Sequence, residues 1–177
     1  MLSFSSFITE QSGANSYGAL MAMLPYEDNK PFNDWIDREI NLDKLGEHGI
    51  ERESHVTVLY GLEDIDPLAL RLFIEEYGPI EIRLGKVSKF PGDVIKIDIH
   101  SPHIIKINED LRKTFEHNIT TREGKLKAHL TLAYVRKGSH DHLIGRGDFR
   151  GMSFMIDKLT YSTKDKKKHI IELKTLQ

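Results

Sequence analysis

The chain contains no cysteine among its 177 residues. Thiol nucleophiles, thiolate zinc sites and disulfide frameworks are excluded together, and a reducing, cytoplasmic setting is expected. A surplus of positive charge is also missing. Lys+Arg 25 against Asp+Glu 27 gives a formal charge of −2, so no broad basic face for duplex nucleic acid is expected. That balance still allows a small anion to be held by a few local cations. Nor does the sequence hold a run of about 18 apolar residues, so no membrane-spanning helix is expected. The first ten residues, Met1 to Glu10, lack both a basic start and a long apolar stretch and do not read as a secretory signal.

What is present is the composition of a folded chain, 39% apolar and 29% charged. Its length suits one domain that can bury its own core without a metal or disulfide staple. The polar stretch from Gln11 to Asn15 reads as a linker, which separates a leader and linker at 1–15 from a single domain at 16–177.

Periodicity then divides the domain. Tyr17 to Leu24 is an apolar run closed by Pro25 and predicts a buried strand. Phe32, Trp35, Ile36 and Ile40 recur at helical spacing behind Pro31. Ser54 to Tyr60 predicts a strand ended by Gly61, and Asp66-Pro67 opens a helix running through Tyr77. Ile80 to Phe90 and Val94 to Ile99 form a hairpin about Pro91-Gly92-Asp93. His103 to Asn118 carries a helical stripe, and Ala128 to Val135 is a strand. A glycine-rich loop, 138–151, reads as flexible and able to cover a cleft. Met152 to Ser162 and His169 to Leu176 predict a last hairpin about Lys164 to Lys168. Strands and helices in this order, with hairpins, indicate an α+β or two-lobed sheet and not a doubly wound parallel one.

One self-similarity carries chemistry. His55-Val-Thr57-Val-Leu-Tyr60 recurs as His129-Leu-Thr131-Leu-Ala-Tyr134, each copy inside a predicted strand. Positions i and i+2 share a strand face, so each His projects beside its Thr while the apolar residues turn to a core. Strict alternation sends Tyr60 and Tyr134 to that opposite face, in a packing role, unless a bulge intervenes. If the strands are neighbours, two imidazoles and two hydroxyls converge. Such a set suffices for phosphodiester cleavage: a neutral imidazole takes a proton, a protonated one gives a proton, and hydroxyls bind the non-bridging oxygens. No metal or cofactor is required.

Paired His-x-Thr motifs on strands resemble the 2H phosphoesterase superfamily, also called RNA ligase-like or cyclic phosphodiesterase proteins. The resemblance extends from Tyr17 to Leu176. It implies a bilobal, pseudo-two-fold α+β fold of mixed or antiparallel sheets with flanking helices about a central cleft. It further implies metal-independent cleavage of a nucleotide or small oligonucleotide substrate, such as a 2′,3′-cyclic phosphate or a 2′–5′ linkage. By motif match His55 and His129 are the acid/base pair and Thr57 and Thr131 the phosphate clamps, with the acid and the base not distinguished. The Tyr ending both motifs, and Lys127 two residues before His129, look like phage members of the superfamily, including anti-CBASS nucleases that destroy cyclic oligonucleotide signals. The Phe4-x-x-Phe7-Ile8-Thr9-Glu10 leader is similar to those of tailed-phage proteins packaged in the head and cut after a Glu. An inactive nucleotide-binding module or packaged particle protein is the alternative from another class.

Other residues carry weaker signals. Lys127, Tyr17, Lys89 and Phe90 border predicted strand ends, where a phosphate could be held or a base stacked. His140-Asp141-His142 lacks a partner cluster and reads as an exposed loop and not a metal site.

Overall fold

The computed structural model describes residues 17–118 and 125–174. The leader and linker at 1–15, with the cut expected after Glu10, lie outside the described residues. Nine strands and three helices follow one another as β1 (Gly18–Met23), α1 (Lys30–Glu39), β2 (Leu45–Ile50), β3 (His55–Leu62), α2 (Pro67–Ile74), β4 (Ile80–Phe90), β5 (Val94–His100), α3 (Pro102–Thr114), β6 (His129–Val135), β7 (Ser153–Ile156), β8 (Lys158–Ser162) and β9 (Lys168–Glu172). All strand pairs are antiparallel, in the order β7-β4-β5-β6-β3-β1-β8-β9. The fold is therefore α+β, as the sequence implied, with a wholly antiparallel sheet among the described strands.

The two lobes meet at β6. Its Leu130 pairs with Val56 of β3, whereas its Ala133 and Val135 pair with β2, so the sheet forks there. Val56, Val58, Leu130 and Leu132, all fully buried, face a core covered by the helices. In that core Phe149 packs on Phe32 and Trp35 of α1, with ring centroids 5.2 and 5.6 Å apart. Asp66 and Ser101 cap α2 and α3 through their side chains, and both helices begin with Pro. Among the described residues no helix is long and apolar enough to cross a membrane.

One strand was not expected, and three expectations are corrected. The strand β2 lies in a stretch with two glycines and no apolar alternation, and it forms because β6 offers it an edge. β3 does not end at Gly61. That residue has φ +93°, and Asn118 donates its N–H to the Gly61 carbonyl at 2.7 Å, so the strand continues through a site where a Cβ would collide with the Asn118 backbone. The run from Met152 to Ser162 is two strands. β7 pairs with β4 at one end of the sheet and β8 with β1 in the other lobe, and the chain crosses between them at Asp157. Finally, the 138–151 loop is fastened to the core side. Val87 and Gly145/Arg146 exchange backbone hydrogen bonds at 2.8 and 2.9 Å, and Arg146 pairs with Glu39 of α1 at 2.6 Å.

Each motif strand carries a bulge just after its threonine. Against β1, Thr57 pairs with Met21 and Leu59 with Leu20, leaving Val58 as the extra residue. Against β5, Thr131 pairs with Lys96 and Ala133 with Ile95, leaving Leu132. A two-for-one bulge orphans a carbonyl, and both are satisfied from outside the ladder. Buried Asn108 of α3 donates to the Val58 carbonyl at 2.7 Å, and the Glu51 N–H donates to the Leu132 carbonyl at 3.0 Å. Replacing Asn108 with Leu keeps the volume and strands the Val58 carbonyl in the core. Urea denaturation of Asn108→Leu should report a loss of about 1–3 kcal/mol; an unchanged midpoint would mean that the carbonyl has another partner.

Candidate active site

The antiparallel pairing of Val56 with Leu130 sets His55 opposite Thr131 and Thr57 opposite His129 on one face. The four motif residues thus form a square across β3 and β6, each histidine beside the other motif's threonine. Neighbouring strands extend the rows. Met23, His55, Thr131, Lys96 and Ser88 run across β1, β3, β6, β5 and β4, and Met21, Thr57, His129 and Asp98 run beside them.

Both imidazoles are held in the same way. His55 Nδ1 lies 2.8 Å from the Glu53 carbonyl, and His129 Nδ1 lies 2.9 Å from the Lys127 carbonyl. A carbonyl only accepts, so Nδ1 carries the proton and Nε2 is the atom left for acid–base work. Their surroundings differ. His55 is buried, and desolvation, with smaller repulsion from His129 and Lys168, pulls its pKa down to about 4. His129 is half-buried and stands across from Asp98. The Asp98 carboxyl is held low against burial by Lys96, Ser88 and the positive charge of His129.

Lys96 and Asp98 were not anticipated from the sequence. Lys96 is 6% exposed, with Nζ 2.5 Å from Asp98 Oδ1, 2.6 Å from Ser88 Oγ and 4.4 Å from the centre of the Phe90 ring. The signal was alternation in β5, where Ile95, Ile97 and Ile99 point to the core and leave Lys96 and Asp98 on the motif face. It gains meaning only from the placement of β5 beside β6.

The two bulges overturn the packing role given to the tyrosines. Tyr60 pairs with Ala19 and Tyr134 with Val94, and both partners share the face of the histidines. Tyr60 packs with Met21 and Met23 and meets the Tyr17 ring edge-on at 6.3 Å. Tyr134 hydrogen-bonds Thr131 and meets His48 edge-on at 5.2 Å; burial and the nearby Glu51 charge push its hydroxyl above the usual tyrosine range.

The remaining expected residues divide. Phe90 meets the His129 ring edge-on at 4.6 Å and is part of the site. Tyr17 lies at its border, where its hydroxyl accepts from Asn118. Lys127 is exposed just ahead of β6 and contributes its carbonyl to His129. Lys89 shares the opposite face with Ile95, where Asp93 and Asp141 hold its ammonium. His140 is buried, not exposed: Nε2 accepts from the Asn41 N–H at 3.0 Å and Nδ1 meets Ser139 Oγ at 2.9 Å, so both nitrogens serve structure. Among the described residues no three His, Asp or Glu side chains cluster so as to hold a metal ion.

The fold recurs in known structures. The chain has the fold of E. coli LigT. With LigT complexed with NADP+ the TM-score is 0.61 at 15% identity, covering 90% of this chain and 95% of that one. LigT with 3′-AMP gives 0.59 at 15% over the same shares, and TT0787 of Thermus thermophilus gives 0.57 at 16% over 82% and 86%. No family model and no curated protein matches the sequence.

One buried acid stands beside the motif strand β6. Glu51 is 7% exposed, and burial pushes its carboxyl up to about 7. A raised acid favours the protonated fold, so stability from this group is complete below about pH 4.5 and declines as pH rises through about 7. The rise corresponds to at most about 3 kcal/mol. Thermal melts of Glu51→Gln should therefore show stabilisation at about pH 8 that shrinks at about pH 4; equal differences at both pH values would contradict the assignment.

Proposed function

We propose that this protein is a phosphodiesterase of the 2H type that cleaves a nucleotide phosphodiester without a metal ion. The single observation that carries the reading is the square of His55, Thr131, Thr57 and His129 formed by the β3–β6 register. The likeness to LigT, solved with ATP, phosphate, 3′-AMP and NADP+, supports a nucleotide as the substrate class.

The surroundings divide the labour between the histidines. Buried His55, with its pKa lowered to about 4, is neutral at physiological pH and serves as the base. Its Nε2 takes the proton from the attacking water or ribose hydroxyl, and that oxygen forms the new bond to phosphorus. His129, which stands across from Asp98, is the acid whose Nε2 delivers a proton to the departing oxygen as the old P–O bond breaks. Thr57 and Thr131 donate to the non-bridging oxygens, where charge accumulates. Lys96, its charge shared with Asp98, adds a local positive field without making the face strongly basic, which suits a singly charged diester. Phe90 and Tyr60, both partly exposed, offer ring surfaces for a base.

The finer substrate follows from a panel assayed with EDTA: 2′,3′-cyclic nucleotides, 2′–5′ dinucleotides, ADP-ribose cyclic phosphate and cyclic oligonucleotides. At least one member should be turned over, and preference for the cyclic oligonucleotides would support the phage-type reading. The kcat/KM profile should be bell-shaped, with an acidic limb at about pH 4 where His55 gains its proton. Thr57→Val or Thr131→Val should each lower kcat by about 10²-fold, the scale of one lost oxyanion donor. Turnover abolished by EDTA, or a flat pH profile, would overturn the proposal.

A further inference from the structure

Two hydrogen-bond chains from the motifs converge on Glu51. On the first side, Glu51 Oε1 accepts the Glu53 N–H at 3.2 Å, and the Glu53 carbonyl is the group that meets His55 Nδ1 at 2.8 Å. On the second, the Glu51 N–H holds the Leu132 carbonyl at 3.0 Å, the extra residue of the β6 bulge. That bulge turns Tyr134 to the motif face, where it bonds Thr131 and feels the Glu51 charge.

A carboxyl is an expensive way to fill this position. It is nearly excluded from solvent, and the cation next to it in sequence is directed elsewhere: Arg52 reaches Asn33 Oδ1 at 3.2 Å and Asp37 Oδ1 at 2.5 Å on α1. The charged and titratable groups that do act on it are Glu53 beside it, Lys168 from β9 and Tyr134 from β6; His48 of β2 lies against the Tyr134 ring. Lys168 is itself shared with Glu53, at 3.8 Å. The neighbouring segment is already anchored without Glu51, since Asn29 Oδ1 takes the Ser54 N–H at 2.7 Å and the Ser54 carbonyl takes the Leu24 N–H at 2.9 Å. Within the β2–β3 connection the carboxyl accepts the backbone N–H groups of Arg52 and Glu53.

We propose that Glu51 is a positioning residue shared by both motifs: its carboxylate fixes the N–H of Glu53, the residue whose carbonyl holds His55, and its N–H fixes the bulge that presents Tyr134 to Thr131. The carboxylate grips an N–H more tightly than the neutral acid does, because a charge-assisted hydrogen bond is the stronger one. Ionisation of Glu51 near neutral pH therefore tightens the His55 tether. The role rests on the phosphodiesterase reading, but its direct test does not require a substrate.

NMR of the full chain, titrated from about pH 5 to about pH 9, separates the two. In the wild type the Glu53 amide should move with a midpoint at about 7, and His55 should hold its proton on Nδ1 when neutral. Glu51→Gln, which keeps an acceptor but no charge, should abolish the Glu53 titration and preserve the His55 tautomer. Glu51→Ala should mix the two tautomers. With any turned-over substrate, Glu51→Ala should lower kcat between about tenfold and a hundredfold with KM within about twofold, as expected for a misplaced base. A wild-type Glu53 amide that does not titrate, or a Glu51→Ala protein with the wild-type tautomer, would overturn the proposal. If Glu51→Ala fails to fold, the Glu53 titration and its loss in Glu51→Gln decide it. If no substrate is turned over, the phosphodiesterase reading fails and the NMR result still stands.

Discussion

The site depends on one constraint, the contact of β3 with β6. Only Val56 and Leu130 pair there, because β6 is taken up by β2 a few residues later. That short junction brings together two strands drawn from different lobes, and its register decides everything on the motif face. A slip of one residue would turn one His-x-Thr pair into the core and away from the other. The fully buried valine and leucine beneath the square make such a slip costly, since the slipped strand's apolar side chains would move to the open face. The bulges are the second half of the constraint. They let the apolar positions between Thr and Tyr in each motif face the core or the bulge while His, Thr and Tyr share the other side.

Around that junction the electrostatics are unequal. The motifs are repeats in sequence, and their histidines are tethered by equivalent i−2 carbonyls. The difference comes from the neighbours: β1 gives His55 and Thr57 two methionines and no charge, while β5 gives His129 a carboxylate and Thr131 a buried ammonium. Two like groups thereby stand in unlike surroundings, one desolvated and one beside a carboxylate. Local ladder composition, not the motif, produces the asymmetry.

Much of this was legible in the sequence. The duplicated His-x-Thr named the four central residues, period-two alternation placed them on one face, and the Pro91-Gly92-Asp93 turn set the β4–β5 hairpin. The capped start at Asp66 marked one helix and the apolar stripe after His103 another. What stayed hidden was non-local. β2 has no apolar period and exists because β6 offers it partners. The bulges arise from pairing with β1 and β5, so strict alternation misassigned Tyr60 and Tyr134. Lys96 and Asp98 looked like the outer face of an ordinary strand, and Lys89, a better-placed cation by position at a turn, is spent on Asp93 and Asp141. The division of Met152–Ser162 into two strands in different lobes left no mark on its hydrophobic pattern.

The central claim is that the two histidines work as one catalytic unit. A double-mutant cycle on the best substrate of the panel tests it most directly, comparing His55→Ala, His129→Ala and the double variant by single-turnover kinetics. Groups that act together are strongly non-additive, so each single variant should lose nearly as much activity as the double. Multiplicative losses, or a single variant retaining wild-type turnover, would contradict the account.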